Sequence, residues 1–467
     1  MVKINLPKEK KYIIYFMITL ITTLAMFTTF NYIDGQSLLA YSVTTWDAIF
    51  SGDISSFYAL KLENLRNAYQ PDSLETPIAM FPAVIWSLPV WLTHTFNGNY
   101  DVSGLFCIYW FKLIYIIFTI ITAYAGYSII KFFNTKSNNN DSIIALFFIL
   151  SSPEILISTM YAGQDEIFYI AFMMLALNSF VKKDNKWFLI WSICSVACCD
   201  LMLVPVLALL LISENKLYKI VYKLLLTLVP RLVWALLTIG APYKSLLEGG
   251  DAYEISDIFN IFTIETTTGS ASIASLLMVL LFFYAYNIKN KESDDIELKR
   301  KAIWFITALT VVMSFIMQNH FYRFCIYTPF FIVLLFISRN EKVNVFLYMI
   351  SLYLRMFTGG YNSPMNINTE YTASGSWAEK ICILVGSKKY DTYDGLNAKI
   401  LEKLPILESM VPMMNGIVLA CILLILYHTY TNKKCELDIP VSRKYSDFMI
   451  VSCMSLYLTV FYMLLFK

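Results

Sequence analysis

Two adjacent carboxylates, Asp165 and Glu166, follow a Gly-Gln step and lie between two apolar segments, residues 143–150 and 170–180. This pattern predicts a short turn between two membrane-spanning helices. A carboxylate at a membrane boundary is costly to desolvate and needs water, a partner or a substrate. For Glu166 alone, an ordinary solvated turn explains the charge. For Gln164, Asp165 and Glu166 together, the sequence favours a reaction pocket that binds substrate, because other acidic and aromatic residues are predicted on the same side of the membrane.

Three further carboxylates are candidates for the same pocket. Asp34 lies four residues beyond the first apolar run, 12–30, and a carboxylate held there can take a proton from an attacking hydroxyl. Asp47 lies in the following polar loop and is a weaker catalytic candidate, since surface solvation or a helix cap also explains it. Asp200 occupies a predicted hairpin, where it could bind a substrate hydroxyl or cap the turn.

A late turn contains His320, Tyr322 and Arg323 at the predicted external end of a span. His320 and Arg323 are three residues apart and would share a face of a helix. A guanidinium can bind the phosphate of a lipid carrier through two parallel hydrogen bonds. The alternative is an interfacial anchor that reaches the lipid headgroups. Because the chain has three histidines in total, we favour phosphate binding, with Tyr322 as a further substrate-binding candidate.

The composition indicates a polytopic membrane protein. Hydrophobic residues make up 58% and charged residues 15% of the 467 residues, and long charge-free runs of ~20 residues are typical of spanning helices. The nine cysteines and three histidines show no zinc-site spacing. The sequence contains neither a phosphate-binding glycine loop nor a basic patch interleaved with aromatics, so nucleotide hydrolysis and nucleic-acid binding have no support. No metal or other cofactor is predicted.

Basic residues determine the predicted topology. Three lysines before the first apolar run place the N-terminus in the cytoplasm. Residues 77–96 include three prolines within thirteen residues, which disfavour a straight spanning helix. If this segment does not cross, nearly every later basic cluster falls in the cytoplasm, so we adopt that arrangement. Lys112 and Arg231, which lie inside predicted spans, are expected to pair internally or to reach the headgroups.

This arrangement predicts one all-α, membrane-embedded domain over residues 1–467, with about thirteen spans. Interfacial helices are expected in an external loop over residues 31–103, and a second external loop covers 358–410. The first two spans are predicted at 12–30 and 105–133. The later helices are predicted at 142–160, 167–181, 187–200, 201–213, 217–240, 273–288, 302–318, 322–338, 343–357, 411–430 and 446–466. The long polar loops are external and the short basic ones cytoplasmic, so chemistry is expected on the external face.

Three short motifs resemble those of the GT-C superfamily, the polytopic glycosyltransferases that use polyprenyl-phosphate sugars. The most similar families are protein O-mannosyltransferases, aminoarabinose lipid A transferases and bacterial polyprenyl-phosphate-mannose-dependent mannosyltransferases. The matching residues are Asp34 with Ser51-Gly52-Asp53, then Pro153 with Gly163-Gln164-Asp165-Glu166 and Lys182-Lys183, and finally His320, Arg323, Tyr327 and Pro329. Many relatives have Asp-Glu where this chain has Asp34-Gly35, and some have a lysine in the hairpin of Asp200.

The resemblance implies transfer of a sugar, with inversion, to a glycan, lipid or protein acceptor on the external face of a bacterial plasma membrane. Asp34 would be the general base, and Arg323 would neutralise the leaving lipid phosphate. The family branch also implies a metal-independent enzyme. A surface-polysaccharide polymerase stays open as an alternative. A flippase or exporter of lipid-linked saccharides should show charged and small residues along several span interiors, whereas the carboxylates here concentrate at the external ends.

Overall fold

The computed structural model describes residues 10–29, 33–54, 57, 76–97, 105–133, 140–238, 263–266, 269–291, 294–316, 321–338, 341–362 and 406–431. These residues are mainly helical. The α-helices are α1 Lys10–Thr29, α2 Ile33–Ser51, α3 Phe81–Asn97, α4 Leu105–Phe133, α5 Asn140–Leu150, α6 Pro153–Leu156, α7 Glu166–Val181, α8 Asn185–Cys198, α9 Leu203–Ser213, α10 Leu217–Leu237, α11 Ile273–Lys291, α12 Asp295–Ile316, α13 Thr328–Ile337, α14 Glu341–Asn362 and α15 Ile406–Thr431.

Four helical segments of the described residues are long and apolar enough to cross a membrane: Leu105–Phe133, Ser142–Ala162, Leu217–Leu237 and Ser409–Thr431. Others are shorter than the predicted spans. Helix α13 has 10 residues, which rise only about 15 Å, roughly half of a bilayer core. The fold is therefore that of an α-helical protein with helices long and apolar enough to cross a membrane, and the figure of thirteen spans stays a prediction. The predicted helix at 446–466 lies outside the described residues.

Two local features differ from the predicted all-α pattern. Residues Thr263–Thr266 and Gly269–Ser272 form an antiparallel two-stranded hairpin, β1 and β2, in a region predicted as a loop. The predicted helix at 142–160 is interrupted after α5, because Pro153 cannot donate the backbone hydrogen bond of a continuing helix. After α6 the chain continues as a π-helix, Ile157–Ala162.

The first predicted external loop contains a packed helix pair. Helix α2 is buried at every position from Leu38 to Thr45, so it is more enclosed than a helix lying at an interface. Its Trp46 indole donates to the Val84 carbonyl of α3 at 2.8 Å. Helix α3 has 17 residues, of which 13 form its apolar part, Phe81–Thr93. This length is short of the ~20 residues that a crossing requires, but so is that of α7, so the expectation that this segment does not span stays a prediction.

Helices α4 and α7 form the centre of the bundle. Phe118 of α4 makes edge-on ring contacts with Phe168 and Phe172 of α7. Gly126 allows α5 to approach α4 closely, because a Cβ at this position would lie 2.6 Å from Cδ1 of Ile149. Aromatic contact and small-residue packing are the means by which helices associate where water does not drive burial.

Several of the predicted basic clusters meet at one end of this bundle. Lys182, after α7, donates to Ser128 near the end of α4 at 2.7 Å. Lys183 and Lys299 both lie 2.9 Å from Asp295 at the start of α12. Helix α7 separates this end from Asp165 by 16 residues, or about 24 Å. The basic residues and the Asp165 turn therefore lie at opposite ends of the bundle.

A buried ion pair joins α6 to α14. Arg355 lies 2.9 Å from Oε1 of Glu154, and both side chains are 0% exposed. The Ser152 hydroxyl donates to the other carboxylate oxygen at 2.6 Å. Removing one member of such a pair strands an uncompensated charge and costs about 3–5 kcal/mol. The two helices are therefore fixed to each other.

The two ends of the bundle should be accessible from opposite sides of the membrane. We expect a membrane-impermeant thiol reagent to label Asp200→Cys in intact cells, because the Asp200 side chain is 48% exposed at the end opposite the lysines. Lys183→Cys should react only after the cells are opened. The unchanged chain, with its native cysteines, gives the baseline. Labelling of both variants from outside would overturn the predicted topology.

Candidate functional site

The turn before α7 has an unusual backbone. The π-helix Ile157–Ala162 ends at Gly163, whose φ of 64° and ψ of 39° are left-handed. The amide of Gln164 donates to the Ser158 carbonyl at 3.0 Å, and the Tyr115 hydroxyl of α4 donates to the Gly163 carbonyl at 2.7 Å. Single π-turns inside helical segments are frequent at functional sites. Here the π-turn and the two hydrogen bonds hold the segment that presents Gln164 and Asp165.

The backbone of Gly35 lies directly against this turn. A Cβ on Gly163 would be 3.0 Å from the Cα and 3.4 Å from the amide nitrogen of Gly35. Asp34 precedes Gly35 in the first turn of α2, and consecutive Cα atoms are about 3.8 Å apart. The structure thus brings together the backbones of two predicted site segments that are far apart in the sequence. The Asp34 side chain lies outside the described part of the structure.

Asp165 immediately precedes α7 and is half-buried. Its side chain makes no capping hydrogen bond to the helix. Burial raises the pKa of the Asp165 carboxyl to about 6, although its own backbone amide and the charge of Arg323 both act in the opposite direction. Arg323 therefore lies within electrostatic reach of Asp165. The two residues were predicted on the same face from separate motifs, and the structure places them in one site.

Arg323 belongs to a 3-10 helix, Phe321–Ile326, which precedes α13. Its side chain is half-buried. Two residues further on, the Cys325 thiol contacts the Ser158 hydroxyl of the π-helix at 3.4 Å. The 3-10 helix is therefore packed against the segment that presents Asp165. His320 and the side chain of Tyr322 lie outside the described residues, so their predicted substrate-binding roles stay predictions.

Glu166 differs from the solvated turn residue that the sequence suggested. Its side chain is only 5% exposed. It lies within electrostatic reach of Tyr169 and Cys325. The interpretation of Glu166 as a solvated turn charge is therefore wrong, because α7 begins at this residue and turns the side chain into the protein.

Asp200 and Asp47 have protein partners. Asp200 forms an ion pair with Arg231, whose Nε also donates to the Val196 carbonyl at 3.0 Å; this confirms the expected internal pairing of Arg231. Asp47 accepts a hydrogen bond from the Trp91 indole at 2.8 Å. It lies thirteen residues from Asp34 along α2, or about 20 Å, so the structure does not bring Asp47 to the Gly163 turn.

Lys112 secures the end of α1 near this site. Its ammonium group donates to the carbonyls of Phe27 at 2.7 Å and Met26 at 3.3 Å. The last carbonyls of a helix have no partner within the helix, and the positive charge also suits the negative end of the helix dipole. The expected internal pairing of Lys112 is confirmed. Its consequence for the site is that α1 ends at a fixed point, just before the chain enters α2.

Sequence reasoning missed Glu154 and Arg355. Both lie in otherwise apolar helices, and their separation of about 200 residues in the chain gives no sign that they pair. An isolated charge in an apolar run is the only available signal, since such a charge needs a partner.

Among the described residues, no group of three or more His, Cys, Asp or Glu could hold a metal ion.

The chain matches no protein-family model, and no curated protein matches it.

The two glycines should differ in how well they tolerate an added methyl group. We expect Gly163→Ala to lower the free energy of unfolding by about 1–3 kcal/mol, because alanine is strained in the left-handed region and its Cβ would meet the Gly35 backbone. Gly35→Ala is the matched control. Its Cβ would lie 3.6 Å from the Gly163 Cα, an ordinary contact distance, and alanine favours a helix. Thermal unfolding in detergent measures the stability of both variants. An equal loss of stability would contradict the close approach of Gly163 to the Gly35 backbone.

Proposed function

We propose that this protein is a membrane glycosyltransferase that moves a sugar from a polyprenyl-phosphate carrier to an acceptor hydroxyl. The observation that supports it most is the contact between Gly35 and Gly163. Through it, the segment that contains Asp34 meets the turn that presents Asp165, and Arg323 acts on Asp165 from the third segment. A carboxylate can accept the acceptor's proton, and a guanidinium can bind the carrier phosphate.

The proposed reaction is a single displacement. The acceptor hydroxyl transfers its proton to the Asp34 carboxylate, and its oxygen forms a bond to the anomeric carbon of the sugar. The bond from that carbon to the phosphate oxygen breaks, and its electron pair remains on the phosphate. The anomeric configuration is inverted. Arg323 neutralises the charge that develops on the leaving phosphate, which lowers the barrier only if the guanidinium is already in place.

Gln164 and Asp165 would bind hydroxyl groups of the sugar or the acceptor. Asp165 is a good acceptor of hydrogen bonds in its ionised form, and with a pKa of about 6 it is ionised above that pH and protonated below it. Buried Glu166 would support this turn from inside the protein. The carrier lipid, the membrane and a glycan, lipid or protein acceptor are the proposed partners, with the site on the external face of the plasma membrane.

The direct test uses purified protein in lipid nanodiscs with a panel of polyprenyl-phosphate sugars and candidate acceptors. The proposal requires release of polyprenyl phosphate together with a glycosylated acceptor. A flippase would move the lipid with its sugar–phosphate bond intact, and a polymerase would extend an oligosaccharide chain. Binding of the donor without cleavage of that bond, over the whole panel, would overturn the proposal.

Asp34 and Asp47 should differ as catalytic residues. We expect Asp34→Asn to lower turnover by about 10²–10⁴-fold, the usual contribution of a general base, with little change in donor affinity. Asp47→Asn should keep most of the activity, because Asp47 lies at the far end of α2 and is bonded to Trp91. Turnover and donor binding, measured on both variants, decide between them. The opposite result would move the base to Asp47.

Arg323 should affect both donor binding and pH dependence. Arg323→Ala should weaken donor binding by about 2–5 kcal/mol, and Arg323→Lys should restore part of it. If ionised Asp165 is needed, transfer should decline as the pH falls through about 6. Because Arg323 lowers the pKa of Asp165, its loss raises that pKa, so the decline should begin at higher pH. Asp165→Asn cannot ionise, so it should show the low-pH rate at every pH. Full transfer by this variant above about pH 6, with the same decline below it, would assign the decline to another group.

A further inference from the structure

Glu154 and Arg355 lie next to the site but not within it. Glu154 is at the start of the segment that runs through the π-helix to Gly163 and Asp165. Its partner Arg355 comes from α14, and the pair is entirely buried. Any change in this pair would therefore be transmitted to the beginning of the segment that presents Asp165.

The same guanidinium also packs on the segment that presents Arg323. The Arg355 guanidinium carbon lies 5.2 Å from the ring centre of Phe324 and 5.1 Å from that of Tyr327. Phe324 follows Arg323 directly in the 3-10 helix. Cation–ring contacts of this kind are strongest when they are desolvated, and Arg355 is 0% exposed. One side chain thus binds the Asp165 segment by charge and the Arg323 segment by ring contact.

A second link joins the same two segments nearer to the site. Cys325 contacts Ser158 at 3.4 Å, and Cys325 is within electrostatic reach of Glu154, Glu166 and Asp165. Two links between two short segments restrict their relative translation and rotation. Arg355 makes the first link, through its ion pair with Glu154 and its ring contact with Phe324, and Cys325 makes the second.

We propose that Glu154 and Arg355 are positioning residues, whose ion pair and ring contacts set the separation between Asp165 and Arg323. This inference deepens the proposed function by adding two residues to the same site. The positioning role follows from the geometry and requires no sugar transfer. Only the purpose of this positioning rests on the proposed function. A purely structural role would stabilise the bundle without adjusting the relation of Asp165 to Arg323.

The protein contains a matched pair for the control. Arg300 is 2% exposed, bonds to Glu297 in α12 and donates to the Thr429 carbonyl of α15. This second arginine–glutamate pair, in which the arginine is buried and the glutamate is 13% exposed, lies at the lysine end of the bundle. Neutralising both members of this pair should therefore lower the stability of the protein without changing the pKa of Asp165.

The experiment is an infrared titration of the Asp165 carboxyl in the full-length protein in nanodiscs. Asp165→Asn identifies the band by its loss. The test variant, Glu154→Gln with Arg355→Met, removes both charges and leaves the net charge unchanged. The control, Glu297→Gln with Arg300→Met, does the same at the other end. We expect the test variant to shift the Asp165 midpoint to higher pH, in the direction of Arg323→Gln, and the control to leave the midpoint unchanged.

Two results would overturn the inference. An unchanged midpoint in the test variant, with a lower unfolding temperature, would show a structural role alone. An equal shift in the control would show general loosening of the bundle. If the test variant fails to fold, Arg355→Lys serves instead, because it keeps the charge but loses the planar ring contacts. It should shift the Asp165 midpoint in the same direction. An unchanged midpoint in this variant would count against the inference. If the test variant shifts the Asp165 midpoint as expected but the unchanged protein transfers no sugar, the positioning role stands and the proposed function is overturned.

Discussion

The buried ion pair of Glu154 and Arg355 is the constraint on which the arrangement of this site depends. Each charge loses several kcal/mol of hydration when it leaves water, and only a well-placed partner offsets that loss. Separating the two side chains would therefore leave each charge without its partner inside the protein. Since Glu154 starts the segment leading to Asp165, and Arg355 packs on the ring of Phe324 beside Arg323, one electrostatic requirement fixes two parts of the site at once.

Close backbone packing supplies what the ion pair does not. Gly163 can adopt its left-handed conformation without strain, and the lack of a side chain lets Gly35 approach it. Lys112 fixes the end of α1 through carbonyls that would otherwise lack partners. The start of α2 is consequently determined from both directions, by the end of the preceding helix and by contact with the Gly163 turn. Such positions are sensitive to additions as small as one methyl group.

For the described helices from α7 to α15, the sequence predicted the order and the approximate bounds, because apolar runs and their polar interruptions directly reflect burial. It also placed Asp165 and Arg323 on one side, since basic clusters separate the two ends of the bundle. It did not predict the ion pair or the Gly35–Gly163 contact, because periodicity describes the faces of one element and not which distant elements meet. The π-helix and the hairpin β1–β2 were missed for a related reason: both depend on local backbone bonding that composition does not reveal. Helix lengths, as in α13 with its 10 residues, also depart from the lengths that apolar runs suggest.

Both proposed site carboxylates lie at the N-terminal end of a helix. The N-terminal end of a helix carries partial positive charge that favours an ionised carboxylate. Asp34 lies in the first turn of α2, and Asp165 immediately precedes α7. At Asp165, burial is the larger influence and raises the pKa of the carboxyl to about 6, even with Arg323 opposing it. A group with this pKa binds hydroxyls well near neutral pH but is sensitive to mild acid. In the proposed reaction, Arg323 would have two effects at one place, keeping Asp165 ionised and offering positive charge to the carrier phosphate. Its distance from Asp165 decides how that charge is shared, which is why residues that fix the distance matter as much as those that meet the substrate.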